Sequence, residues 1–149
     1  MHAFVAIFVL TSVACSTEAA RQSGLPTNYA TAYQRAQTSD KPILVLVTAE
    51  WCAPCQMLKR TTVYDMMAKR GFKDFHFATV DVDREPETAA KLTEGRPVPQ
   101  FIVFERSGEK WIRRYSVGYL LVDQLQAFLE PSIKTGVRTA EAQNGIQGR

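Results

Sequence analysis

The stretch PILVLVTAEWCAPC, Pro42 to Cys55, holds the two features on which the fold turns. Its first part, PILVLV (Pro42–Val47), is apolar at every position. A strand with one wet face would alternate, so this run predicts a central strand buried on both faces. Directly after it stand Cys52 and Cys55, two residues apart, with Trp51 before them and Pro54 between them. The residues that follow, Ala53 to Arg70, read as a helix. Lys69 and Arg70 suit the negative end of its dipole, and Gly71 suits the position past its C-terminus. The cysteines therefore sit at a strand-to-helix junction.

That position has a chemical consequence. The first N–H groups of a helix have no intrahelical partner and carry partial positive charge, and both favour a thiolate over a thiol. With Cys52 at the N-cap, its pKa is expected in the range of about 3.5–7.5 found for activated thiols. Cys55, one turn along, is then placed to attack a mixed disulfide on Cys52. Pro54 belongs in the first turn, where its missing N–H costs little. Trp51 alone would read as a core residue; beside Cys52 it reads as an apolar wall of the site. Two other readings compete. A zinc site needs two further ligands, for which only Cys15, His2 and His76 are on offer. A structural disulfide closing so few residues would constrain the unfolded chain little.

Outward from the junction, Tyr29, Ala32, Tyr33 and Ala36 recur at helical spacing up to Ser39–Asp40. FHFATVDV (Phe75–Val82) reads as a second strand and Pro86–Leu92 as a short helix. QFIVF (Gln100–Phe104) reads as a third strand. ERSGEK is a hairpin turn centred on Ser107–Gly108, with WIRRYS (Trp111–Ser116) returning. Leu121, Leu125, Phe128 and Leu129 define a last helix that Pro131 should end. The βαβ alternation with a terminal hairpin predicts an α/β domain, a mixed sheet with helices on both faces, over residues 28–131. Residues 132–149 lack periodicity and are expected to be disordered.

Composition agrees with one ordinary globular domain: 149 residues, 46% hydrophobic, net charge +3. Basic and acidic residues are interleaved, which argues against a nucleic-acid surface. Three cysteines are too few for a disulfide-stapled scaffold, so the fold must rest on its core. The opening MHAFVAIFVLTSVACSTEAA reads as a signal peptide or lipoprotein leader over residues 1–20, followed by a linker over 21–27. Its apolar run is too short to span a membrane. The stretch SVAC resembles a lipobox and makes Cys15 the candidate lipidation site, although Ser12 stands where an aliphatic residue is usual. Export is therefore expected, with a membrane tether only if Cys15 is lipidated.

PILVLVTAEWCAPC resembles the strand and active-site motif of the thioredoxin family, whose usual form is W-C-G-P-C. GRPVPQFIVFERSGEK resembles the family's cis-proline loop, strand and hairpin. The resemblance covers about Asn28 to Pro131 and is closest to periplasmic members, including the electron-donating domain of the membrane thiol:disulfide interchange protein; this makes the periplasm the expected location. It implies a thioredoxin-like fold and a thiol–disulfide oxidoreductase with Cys52 and Cys55 as the catalytic pair and redox-active disulfide. It also implies a peptide-binding role for Val98 and Pro99, with Trp51 shaping the rim. Protein disulfides would be the substrates and a membrane or periplasmic thiol–disulfide protein the electron partner; no cofactor or metal is implied. Against the family pattern, Ala53 replaces the glycine between the cysteines. Leu46 stands in place of a buried aspartate and Thr79 in place of a lysine, so the usual proton relay is missing and Glu50 is the candidate substitute. Arg60 replaces a helix-kinking proline, which predicts a straighter helix. Two rival functions remain at this level: a non-catalytic binding module on the same fold, and a copper metallochaperone.

Overall fold

Every residue of Ile43–Thr48 is buried, and this strand, β1, lies inside the sheet. The computed structural model describes residues 28–146. Its elements are α1 (Tyr29–Gln37), β1, α2 (Ala53–Leu58), a π-helical turn (Lys59–Val63), α3 (Tyr64–Ala68), β2 (His76–Asp81), α4 (Pro86–Thr93), β3 (Gln100–Ser107), β4 (Lys110–Val117) and α5 (Val122–Ile146). The strands form one sheet in the order β2-β1-β3-β4. β2 runs parallel to β1, β3 antiparallel to β1, and β4 antiparallel to β3. This is the mixed α/β architecture that the element order predicts. The leader with His2 and Cys15, and the linker over 21–27, lie outside the described residues.

The pleat of β1 sends alternate side chains to two separate cores. Leu44 and Leu46 join Leu58, Val63, Met66, Phe101, Val103, Leu125 and Leu129 under α2, α3 and α5. Ile43, Val45 and Val47 join Ala32, Ala36, Val80, Ala89, Leu92 and Ile102 under α1 and α4. Small residues on α1 and α4 let those helices approach the sheet closely. The edge strand β4 carries Lys110, Arg113 and Arg114, charges that discourage pairing with another chain.

Four local expectations are corrected. The last helix does not end at Pro131 but continues to Ile146. Proline in a helix interior removes one hydrogen bond and costs about 3 kcal/mol. Here Arg114, from β4, donates to the Phe128 carbonyl at 3.0 Å and to the Ser132 hydroxyl, holding the turn around the proline from outside. At the end of α3 it is Arg70, not Gly71, that takes the left-handed conformation (φ 55°). Arg70 N–H bonds to the Met67 carbonyl and Gly71 N–H to that of Met66, a Schellman motif. Gly71 serves close approach instead, since a Cβ there would lie 2.7 Å from the Met66 methyl. The hairpin turn is Gly108–Glu109, one residue later than expected, because Ser107 pairs with Lys110. Finally, the helix after the cysteines is not a straight α-helix: even without a proline at Arg60 it contains the π-turn.

Candidate redox site

The site forms where β1 ends and α2 begins. Cys52 is the N-cap of α2, with extended backbone (φ −84°, ψ 101°), and its Sγ accepts the Cys55 N–H at 3.2 Å. Pro54 occupies the first turn, where no N–H is missed. Cys52 and Cys55 are joined as a disulfide with Cα atoms 5.2 Å apart. Cys52 is 5% exposed and Cys55 only 1%, so the outer sulfur is the one a partner can reach. Both pack against Ala49, Val82 and Val98, an apolar bed that keeps water from the inner sulfur.

Across from them, the Val98–Pro99 peptide is cis, and the Val98 carbonyl oxygen lies 3.8 Å from Cys52 Sγ. The Pro99 carbonyl in turn accepts the N–H of Gly118, a residue at φ 97°. The next residues, Tyr119 and Leu120, grip the π-turn: Tyr119 and Thr61 share a hydroxyl contact at 2.8 Å, and the Thr62 hydroxyl donates to the Leu120 carbonyl at 2.7 Å. The helix carrying the cysteines and the loop carrying Pro99 are thereby tied through one bridge.

The structure brings Cys52, Cys55, Val98 and Pro99 together, with Trp51 beside them. Trp51 is 70% exposed, so it forms a rim and does not shield the sulfurs. With Val82, Thr93, Arg96, Pro97 and Val98 it encloses a cavity of about 280 Å³. Glu50 lies at the surface, its carboxylate 3.9 Å from the Arg84 guanidinium, while Cys55 is buried. Leu46 is fully in the apolar core, paired with Thr79 on β2 and Phe101 on β3. His76 stands at the far end of the sheet, level with Ile43, and hydrogen-bonds the Ser39 hydroxyl at 2.7 Å. It is remote from the cysteines, which removes it as a shared metal ligand. Among the described residues no group of three or more His, Cys, Asp or Glu could hold a metal ion.

Sequence reasoning missed two sets of residues here. Gln56 donates its amide to the carbonyls of Ala49 and Glu50, at 3.1 and 3.2 Å, and holds the loop that carries Trp51. A polar residue one helical turn beyond Cys52 was the available signal. The second set is Glu94, Arg96, Arg113 and Tyr115, from two segments some twenty residues apart. Arg96 bonds Glu94 at 2.6 Å, Arg113 reaches the same carboxylate at 3.2 Å, and both guanidinium groups lie over the Tyr115 ring, at 4.2 and 5.0 Å. The hydrogen bond from Arg96, then the charge of Arg113, hold the Glu94 carboxyl below the usual carboxylate range.

Comparison with known proteins agrees with this geometry. A family model described as thioredoxin-like matches residues 22–105. A thioredoxin of Alicyclobacillus acidocaldarius is 32% identical over 97 residues, which cover 65% of this chain and 87% of that one. Chloroplastic thioredoxin M4 of Arabidopsis thaliana is 39% identical over 72 residues, 48% of this chain but only 35% of the relative's length. The thiol:disulfide interchange protein DsbD of Campylobacter jejuni is 26% identical over 106 residues, 70% of this chain and 18% of DsbD. Among solved structures, thioredoxin of Trichomonas vaginalis superposes with a TM-score of 0.53 at 27% identity, covering 72% of this chain and 93% of that one.

Proposed function

This chain belongs to the thioredoxin-like family and carries the cysteine pair of a thiol–disulfide oxidoreductase; from that premise we propose that it is exported and exchanges disulfides with protein substrates. The observation that carries the reading is the placement of Cys52: N-cap of α2, bonded to Cys55, and facing the cis Val98–Pro99 peptide.

Starting from the dithiol, the Cys52 thiolate attacks one sulfur of a substrate disulfide. The substrate S–S bond breaks, one substrate thiolate leaves and takes up a proton, and a mixed disulfide joins Cys52 to the substrate. Cys55 then loses its proton and attacks Cys52 Sγ. The second substrate thiol departs, the substrate has gained two electrons, and the protein holds the Cys52–Cys55 disulfide. Val98 offers its backbone groups to an extended peptide at the site, in the manner of strand addition, and Trp51 walls the groove. With Leu46 and Thr79 in the relay positions, the Cys55 proton leaves without a buried carboxylate; Glu50 acts on it only through water. A dithiol donor of the periplasm or membrane restores the reduced form, a role suggested by the likeness to DsbD. The leader over residues 1–20 supports export to the periplasm, and Cys15 is the proposed lipid anchor. Among the described residues no helix is long and apolar enough to cross a membrane.

The test is reduction of insulin by the purified chain with a dithiol donor. Turnover is expected, with loss to background in Cys52→Ser and a trapped mixed disulfide in Cys55→Ser. Turnover that survives Cys52→Ser would sink the reading, and no turnover by the parent chain would leave a docking module. Mass spectrometry of the mature N-terminus decides between a cleaved leader and a lipidated Cys15.

A further inference from the structure

The cavity beside Cys52 is apolar on nearly every side. Trp51, Val82, Pro97 and Val98 form walls around it, and Thr93 is the only neutral polar residue among its lining. One lining residue is charged: Arg96. Its guanidinium is not a loose surface cation. It lies over the Tyr115 ring at 4.2 Å and is anchored to the Thr93 carbonyl at 3.3 Å and to Glu94 at 2.6 Å. Such a group has lost most of its rotamer freedom in advance, so a ligand pairing with it pays little further ordering cost.

The charge of the cluster is unbalanced. Arg96 and Arg113 share the single carboxylate of Glu94, which leaves one net positive charge at the wall of the cavity. Glu50 and Arg84, at the surface near Trp51 and Val82, face one another and cancel. The uncompensated charge near the cavity is therefore that of the Arg96, Arg113 and Glu94 cluster. A peptide extended along Val98 advances about 3.3 Å per residue, so a side chain within two residues of the attacked cysteine reaches the cavity.

Resting on the proposed exchange with protein disulfides, we infer that this cavity is a specificity subsite for an acidic side chain, glutamate above aspartate, within two residues of the substrate cysteine. The apolar walls take the methylene groups and Arg96 takes the carboxylate, in competition with Glu94. Glutamate suits it better than aspartate because its extra methylene spans the apolar wall before the charge begins.

The test uses the full chain and a set of disulfide-linked peptides that carry Glu, Gln or Lys at each of the two positions on either side of the cysteine. In at least one position kcat/KM should favour Glu over Lys by about threefold to fivefold, the scale of a partly exposed ion pair. That ratio should shrink between about 0.02 M and about 0.5 M salt. Arg96→Gln should bring it close to one. Glu94→Gln, which frees both arginines from their shared partner, should raise it, an outcome that simple loss of structure does not produce. Should Arg96→Gln not fold, Arg96→Lys, which keeps the charge but loses the fork, is expected to lower the ratio without abolishing it. Equal turnover of Glu and Lys peptides by the parent chain, or a ratio untouched in both variants, would overturn the inference while leaving the exchange activity standing. Failure to turn over any peptide would instead remove the activity on which it rests.

Discussion

The two ends of the sheet differ in a way that bears on where chemistry can occur. At the C-terminal end of β1, a helix begins: the Cys55 N–H points at Cys52 Sγ, and a cavity of about 280 Å³ adjoins the site. At the other end α3 finishes, and its terminal carbonyls are met by the Schellman turn of Arg70 and Gly71. That end holds the larger cavity, about 890 Å³ between α3 and α5, lined by Met66, Lys69, Arg70, Lys73 and Leu129 among others. Space alone does not make a site. The far cavity lies at the carbonyl end of a helix dipole, which Lys69, Arg70 and Lys73 answer, and no cysteine is among its lining residues. The smaller one lies where a thiolate is stabilised and where a reachable sulfur waits.

Variants at each end sharpen this contrast. The largest effect is expected at Leu46, 1% exposed in the core beneath the cysteines. Leu46→Asp places a carboxyl where the family usually keeps one, but among leucines, valine and phenylalanine. An unpaired buried charge costs about 3–5 kcal/mol, so chemical denaturation at neutral pH should show a loss of that order, smaller at acidic pH where the carboxyl is neutral. A variant as stable as the parent would mean that a partner for the charge already exists at the site end. Gly71→Ala, at the far end, should cost about 1–2 kcal/mol, because the new methyl meets Met66 at 2.7 Å and its carbonyl at 3.1 Å. Its exchange rate should not change; a slower rate would break the separation between the two ends. Gln56→Met keeps the volume and removes two hydrogen bonds to the loop before Cys52. It should cost about 1 kcal/mol in stability and slow peptide exchange by about threefold to fivefold, read as kcat/KM against an unchanged reduction by small thiols.

The smallest effect concerns pH at the far end. Burial, then the charges of Lys41 and Arg35, push the His76 imidazole below its ordinary value of 6.5. The unfolded chain therefore binds more protons than the folded one between the lowered value and 6.5. The contribution to stability is fully present above 6.5 and is lost as pH falls through that window. The melting temperature should drop from pH 7.5 to pH 5.5 by slightly more in the parent than in His76→Gln. A parent curve no steeper than that of the variant would contradict the assigned direction.

Much of this molecule was legible before its structure. Six apolar residues in a row can be satisfied only by burial on both faces, so β1 and its central place could be read from Pro42–Val47 directly. The cysteine pair, Pro54 and the following helix-forming run located the N-cap to the residue. Three of the misses share one cause, a partner distant in the chain, whereas the Arg70 cap and the hairpin shift are settled within a few residues. Pro131 ends a helix by local rules, and Arg114, seventeen residues earlier, supports its passage. The π-turn at Lys59–Val63 has no local mark stronger than two adjacent threonines, and it is secured by Tyr119 and Leu120. Arg96 looks like an ordinary loop cation until β4 brings Arg113 and Tyr115 beside it.

What the sequence determined by itself was the identity of the chemistry: two sulfurs one helical turn apart, at a strand-to-helix junction, because burial periodicity and helix-start rules act over a few residues. What only the tertiary structure decided was the surroundings of those sulfurs: which carbonyl faces Cys52, which cation lines the adjoining cavity, and what bridges the helix to the Pro99 loop. Those relations join segments up to 58 residues apart. Contacts of that kind are set by how the elements pack, and no local pattern of side chains encodes them.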